Sequence, residues 1–271
     1  MTDFEQPQTD IDRDRADRIE ELAAALIEAR TERRPLDEGA AWVPVDVGAA
    51  QRVDDRVAEL SGWDVAGWKI GCTSAHAQQV LGSAGPIVGR VYSVVESGIT
   101  LGPTDLMTEP NLEGEFTVVL GRDITPGDVV DRAGVIDAVA EVRPAIEVVG
   151  GRFSRFVGLP LNQVIADASG NSHLVLGPPA VGVTPDQLVD MPGVMTVDGA
   201  EAGRGTGADV LGDPITALLW LVDHLAGRGI DLRAGQAITT GTLTQLAPLP
   251  PGSTAVASFG AVGEVSVSRA G

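Results

Sequence analysis

The chain has a single cysteine, Cys72, so no intrachain disulfide can form and a reducing compartment fits. Basic residues are scarce: 19 Lys and Arg against 38 Asp and Glu leave a formal net charge of −19. Such a surface repels phosphate backbones and anionic bilayers, which argues against nucleic acid and membranes as partners. Long hydrophobic runs are missing too. The longest strongly apolar stretch, Ile215 to Val222, is too short to span a bilayer. Met1 to Asp10 carries acids and lacks the apolar centre of a signal peptide. A soluble, cytoplasmic protein is expected. His76, His173 and His224 are scattered and match no zinc spacing. Aromatics are few, whereas 34 glycines and 17 prolines predict tight turns between short elements rather than a long helical bundle.

What is present can build a core: 271 residues, 44% of them hydrophobic, suit either one large domain or one domain with an N-terminal extension. Residues 1–12 are polar, acidic and expected to be disordered. Residues 13–62 read as a helical segment. Ile19, Leu22, Ala23, Leu26 and Ile27 recur at helical spacing, and Asp46 to Leu60 forms a second amphipathic run. Residues 63–271 change texture. Strands are expected within Trp63–Ile70 and at 87–95, 112–120, 143–149, 173–176, 194–197, 237–240, 254–258 and 264–268. Helices are expected at 73–81, 132–141 and 215–226, the last opened by Asp213-Pro214. Strands and helices do not alternate regularly, so the fold class is α+β with a mixed or rolled sheet.

Two segments carry unusual acids. In Leu112-Glu113-Gly114-Glu115-Phe116, strand alternation puts Glu113 and Glu115 on one face and Leu112, Gly114 and Phe116 on the other. On a wet face these are two solvated acids. Glu147 stands in Pro144-Ala145-Ile146-Glu147-Val148-Val149, a run apolar on both sides and expected to be buried on both faces. A carboxylate there needs a cation or several donors. Two partners fit: a divalent metal shared with Glu113 and Glu115, or an arginine such as Arg143 or Arg152. Lys69 lies in a similar apolar run, Val65 to Gly71. It either snorkels to the surface or points inward, where it needs an acid partner or a metal-site neighbour and its pKa can fall low enough for proton transfer. Cys72 reads as a small buried thiol. Gly203-Arg204-Gly205-Thr206-Gly207 lacks the Lys-Ser/Thr of a phosphate loop and reads as a flexible turn or lid.

Taken in order, several segments resemble the 2-keto-4-pentenoate hydratase and 4-oxalocrotonate decarboxylase branch of the fumarylacetoacetate hydrolase superfamily. They are Gly67-Trp68-Lys69-Ile70-Gly71-Cys72-Thr73-Ser74, Leu81-Gly82 to Gly89, Glu113-Gly114-Glu115 and Pro144 to Val149. Ile165-Ala166-Asp167, Val210-Leu211-Gly212-Asp213-Pro214 and Thr240-Gly241-Thr242-Leu243-Thr244 complete the set.

The resemblance implies a mixed β-roll with the N-terminal helices packed beside it, a homo-oligomer, and a place in aromatic catabolism. It implies that Glu113, Glu115 and Glu147 bind Mg²⁺ or Mn²⁺. Lys69 would be catalytic and close to substrate, with Thr242 and Asp167 as further substrate-binding residues. The implied activity is that of a lyase working on a small 2-oxo or 2-hydroxydienoic acid through a metal-chelated dienolate. Water then adds, or CO₂ leaves. Two positions depart from the hydratase pattern: Ile87 stands where an acid is expected, and Ala168 where an Asn is expected. The acid missing at Ile87 leans toward decarboxylation, tautomerisation or a divergent hydratase. The alternatives are C–C bond hydrolysis, as in other branches, and a catalytically silent ligand-binding scaffold.

Overall fold

The structure, a computed structural model, describes residues 6–271. Helix α1 (Gln6–Glu32) starts well before Arg13, so residues 6–12 are helical and not part of the tail expected over 1–12; residues 1–5 of that tail lie outside the described residues. Helix α2 (Val47–Ser61) is capped by Asp46, whose carboxylate accepts from the Ala49 N–H at 2.6 Å, and closes on Gly62 in the left-handed region. Leu22, Ala23 and Leu26 of α1 pack with Ala50, Val53 and Val57 of α2.

The body follows with β1 (Gly67–Gly71), α3 (Ala75–Leu81), β2 (Ile87–Val91), β3 (Val94–Glu96), β4 (Ile99–Leu101) and β5 (Asn111–Leu120). Next come α4 (Arg132–Asp137), β6 (Val139–Val149), α5 (Leu161–Ala166) and β7 (Asn171–Leu176). The chain ends with β8 (Pro192–Val197), β9 (Ala200–Thr206), α6 (Pro214–Ala226), β10 (Ala237–Thr242), β11 (Ala247–Pro248), β12 (Thr254–Ser258) and β13 (Glu264–Arg269). One sheet runs β2-β1-β10-β5-β6-β7-β3, with β11 also on β5; the other runs β4-β13-β12-β8-β9. Both mix parallel and antiparallel pairs, as in β1 with β10 and β1 with β2.

The large sheet has two different faces. One presents Trp68, Ile70, Phe116, Val118, Ile146, Val148 and Ile238 to the small sheet and to α6, forming the main core. Phe116 meets Phe259 there at 5.3 Å between ring centroids. The other face holds Lys69, Glu113, Glu115 and Glu147. Beside it, α1, α2 and α5 pack into a second apolar cluster with Cys72 and Ile87. Cys72 is buried, as expected of a packing thiol.

Three expectations change. The helix expected over 132–141 stops at Asp137, because Val139 and Glu141 pair with Leu120 and Val119 of β5. The strand expected over 87–95 divides: β2 pairs with β1, whereas β3 pairs with β7. The glycine run at 203–207 is neither lid nor nucleotide loop. It ends strand β9, where a Cβ on Gly203 would lie 1.6 Å from the Thr244 carbonyl oxygen. Only glycine lets the two backbones approach so closely.

Helix α2 is tied to the sheet by charge. Arg90 of β2 bonds Asp54, lies 2.7 Å from Asp55, and stacks over Trp68 at 5.0 Å. Arg228 also reaches Asp55, at 2.6 Å. Removing one member of a buried pair strands the other charge. Arg90→Met is therefore expected to lower unfolding free energy by about 3 kcal/mol, measured by urea denaturation. A loss below about 1 kcal/mol, the size of an exposed pair, would show that this network does not hold α2.

Candidate active site

Strand pairing brings the three glutamates together. Glu113 lies opposite Glu147 in the β5–β6 register, and Glu115 follows two residues on, along the same face. An oxygen from each carboxylate lies within 4.8 Å of the other two. Glu115 and Glu147 are buried; Glu113 is partly exposed. Neither arginine considered as a partner for Glu147 reaches it. Arg143 bonds the Gly177 carbonyl and Glu96, and Arg152 bonds Asp167.

Each acid is held by few groups. Glu147 Oε1 accepts from Asn171 Nδ2 at 2.9 Å, while Oε2 accepts no hydrogen bond among the described residues. Lys69 Nζ stands 3.4 Å from that Oε2. Glu115 Oε2 accepts from the Gly241 N–H at 2.8 Å. Gly241 has φ +114°, and a Cβ there would lie 2.1 Å from Thr73 Oγ1. The turn that aims this N–H at Glu115 therefore requires glycine.

The electrostatics follow from burial and like charge. Burial, then Glu147, pushes Glu113 up to about 7 despite the opposing pull of Lys69. Burial, then Glu147 and Glu113, raises Glu115 well above the ordinary carboxylate range. Burial alone would lower Lys69, but Glu147, Glu113 and Glu115 together raise it. This corrects the lowered pKa expected for Lys69: the side chain points inward, yet as a firmly held ammonium.

This donor set fits a hard divalent cation. It is all oxygen, it includes a buried carboxylate oxygen with no donor, and its acids resist ionising without added positive charge. Three carboxylates, one ammonium and one divalent cation would sum to zero charge.

A scan against family models matches residues 75–268 to the fumarylacetoacetate (FAA) hydrolase C-terminal family. The chain belongs to this family. Among curated relatives it is 32% identical over 256 residues to a 2-keto-4-pentenoate hydratase of Paraburkholderia phymatum, covering 93% of this chain and 97% of that protein. It is 31% identical over 201 residues to a 2-hydroxyhexa-2,4-dienoate hydratase of Comamonas testosteroni, covering 73% and 75%. Among solved structures it is similar to 4-oxalocrotonate decarboxylase of Pseudomonas putida G7, complexed with magnesium and adipate. The TM-score is 0.81 at 25% identity, covering 94% of this chain and 98% of that one. The family and the α+β fold expected from the motifs are those found, and the named relatives of this fumarylacetoacetate hydrolase family member are lyases.

The other expected site residues are placed unevenly. Thr242 lies opposite Glu115 in the β10–β5 register, half-buried, and its Oγ1 accepts from the Thr244 N–H at 3.3 Å. Asp167 is buried, and its carboxylate is engaged by the Arg152 side chain and by the Arg152 N–H at 2.7 Å. It is therefore not free to receive a substrate. Ala168 and Ser169 beside it both sit at positive φ, and the Ser169 hydroxyl donates to the Val88 carbonyl at 2.7 Å. Such strain persists only where packing fixes it. Ile87 is buried, with its Cγ1 3.1 Å from where a Cβ on Gly71 would lie. Sequence reasoning missed Asn171 and the Gly241 N–H. The readable signal for Asn171 was an amide opening a buried strand; a backbone donor leaves none.

The raised carboxylates set a pH dependence. Between the unfolded glutamate value near 4.5 and the raised folded values, the native state binds more protons, so stability falls as pH rises. The chelator-treated protein is expected to melt at a lower temperature at pH 8 than at pH 5.5, and Mg²⁺ should restore more at pH 8. A melting temperature that rises over this window without metal would contradict the burial of the cluster. Gly241→Ala should weaken Mg²⁺ binding at least about tenfold, since a charge-assisted hydrogen bond of about 1.5–3 kcal/mol is lost; unchanged affinity by calorimetry would remove that donor from the site.

Proposed function

We propose that this chain is a divalent-metal-dependent lyase acting on a small 2-oxo or 2-hydroxydienoic acid, with Glu113, Glu115 and Glu147 as metal ligands. The observation that carries this reading is the convergence of three carboxylates, with one buried Glu147 oxygen that accepts no hydrogen bond among the described residues and has the Lys69 ammonium 3.4 Å away. Mg²⁺ or Mn²⁺ suits an oxygen-only set. When bound, the cation supplies fixed positive charge that stabilises an enolate developing at the C2 oxygen of a 2-oxo acid.

Lys69 is the catalytic side chain. Surrounded by carboxylates, it stays protonated, so it donates a hydrogen bond to the substrate carboxylate or a proton to the far carbon of the dienol. Thr242 offers its hydroxyl hydrogen to the substrate carboxylate, because the oxygen only accepts within the chain. Asp167 serves substrate binding at one remove. It holds Arg152, Arg152 donates to the Asn171 carbonyl at 2.6 Å, and the Asn171 amide holds Glu147. Ile87 leaves an apolar wall close to Lys69 where an acid would have helped water add, which favours loss of CO₂ over hydration. The same reading takes residues 63–271 as the catalytic β-roll and residues 13–62 as its helical cover, in a cytoplasmic homo-oligomer. No helix among the described residues is long and apolar enough to cross a membrane.

The deciding assay offers 2-hydroxypenta-2,4-dienoate and 2-oxohex-3-enedioate with Mg²⁺, following dienol absorbance and released CO₂ together. CO₂ from the diacid is expected. Loss of the dienol with water incorporation and no CO₂ would select hydration instead. Inertness of both acids with metal bound would overturn the lyase reading. Glu115→Gln should cost about a thousandfold in turnover, the scale of several kcal/mol of charge stabilisation, while the fold is retained. Lys69→Ala should cost about a hundredfold or more; wild-type rates there would reduce Lys69 to a structural ion-pair partner.

A further inference from the structure

A partly open cavity lies outside the carboxylate cluster. It has a volume of about 80 Å³ and is reached by Arg30 and Arg33 from the end of α1, Arg152 from the segment after β6, and Ser172 and His173 of β7. Asp105 is the only acid in its lining. None of the three glutamates and not Lys69 contributes to it.

Three arginines converge here in a chain of net charge −19. Arg152 is already answered by Asp167, and Asp105 accepts from the Gly102 N–H at 2.7 Å. Among the described residues neither Arg30 nor Arg33 pairs with a carboxylate. Counting the acid outside the lining, three arginines against Asp105 and Asp167 still leave one positive charge. Arg30 is half-buried, with its guanidinium 5.1 Å from the Trp63 ring centroid and 5.0 Å from that of Tyr92. Two aromatic faces hold the cation in place without neutralising it. Burial, and then the charge of Arg152, lower Arg30 to about 10, so it remains charged at neutral pH. Burial draws His173 down to about 4, so its ring is neutral there and shares a hydrogen bond of 3.0 Å with Ser172.

Partly desolvated positive charge is costly unless an anion answers it. The space is small, several times the roughly 10–15 Å³ of such volume that one water molecule needs. Guanidinium groups match the paired oxygens of carboxylates and phosphates. We propose that this cavity is a second anion site, separate from the metal centre, which takes one compact oxyanion: inorganic phosphate or a short-chain carboxylate. Arg152 stands between the two sites. It faces the cavity and donates to the Asn171 carbonyl, and the Asn171 amide holds Glu147.

Isothermal titration of the Mg²⁺-loaded chain with inorganic phosphate, and separately with succinate, tests this. Saturable one-site binding of at least one anion is expected, and the tighter one shows whether the site prefers phosphate or carboxylate oxygens. Arg33→Ala changes an exposed side chain and should weaken that binding about tenfold or more, the size of one charge-assisted hydrogen bond. Arg30→Lys keeps the charge but loses the planar fork, and should weaken it as well. Glu115→Gln should lower the anion affinity less than Arg33→Ala does, because Glu115 lines no part of the cavity. Absence of saturable binding by either anion overturns the proposal. So does unchanged affinity in both arginine variants, or loss in Glu115→Gln with retention in Arg33→Ala, which would put the anion at the metal.

Discussion

Glu113, Glu115 and Glu147 share a water-poor patch on one sheet face, and their mutual repulsion is the constraint the surrounding residues answer. Two adjacent strands fix the spacing, so the acids cannot separate without breaking the β5–β6 ladder. The stretch 144–149 of β6 is buried on both sides, which denies Glu147 the solvent that normally relieves a carboxylate. What remains is local positive charge and pointed donors. Lys69 supplies the first, and the Asn171 amide and Gly241 N–H supply the second. These do not suffice, since Glu113 and Glu115 are still raised and one Glu147 oxygen lacks a donor. On the proposed reading, a divalent cation would complete the balance.

The rest of the fold protects that geometry. The apolar face of the large sheet is sealed by the small sheet and α6, so the strands that carry the acids cannot slide. On the other side, the ion pair of Arg90 with Asp54 and the clamp of Arg152 on Asp167 fix α2 and the segment after α5 beside the site. The same Arg152 lines a cavity with Arg30 and Arg33 and donates to the Asn171 carbonyl, while the Asn171 amide holds Glu147.

Much of this was legible in the sequence, for identifiable reasons. Glu113 and Glu115 were placed on one face by a period of two that no partner can change. Glu147 stood out because a charge in an apolar run demands an explanation. The limits were also physical. Local pattern could not distinguish Arg143 or Arg152 from a metal as the answer to Glu147, because both arginines find their partners across the fold. The direction of the Lys69 shift depends on three acids from two other strands, so burial alone suggested the wrong sign. The helix over 132–141 was lost to a ladder whose other half lies in β5. Asp167 entered as a substrate-binding residue only through the resemblance; its pairing with Arg152, fifteen residues earlier, follows no local periodicity.

The lyase reading and the electrostatic account meet in one claim: that these three carboxylates hold a single cation. Crystals soaked in Mn²⁺ and measured for anomalous scattering test it most directly. One strong peak is expected, about 2.0–2.3 Å from an oxygen of each of Glu113, Glu115 and Glu147, the range of metal–oxygen bonds for such ions. A structure saturated with Mn²⁺ that shows no peak among these oxygens, or a peak bound only elsewhere, would contradict it.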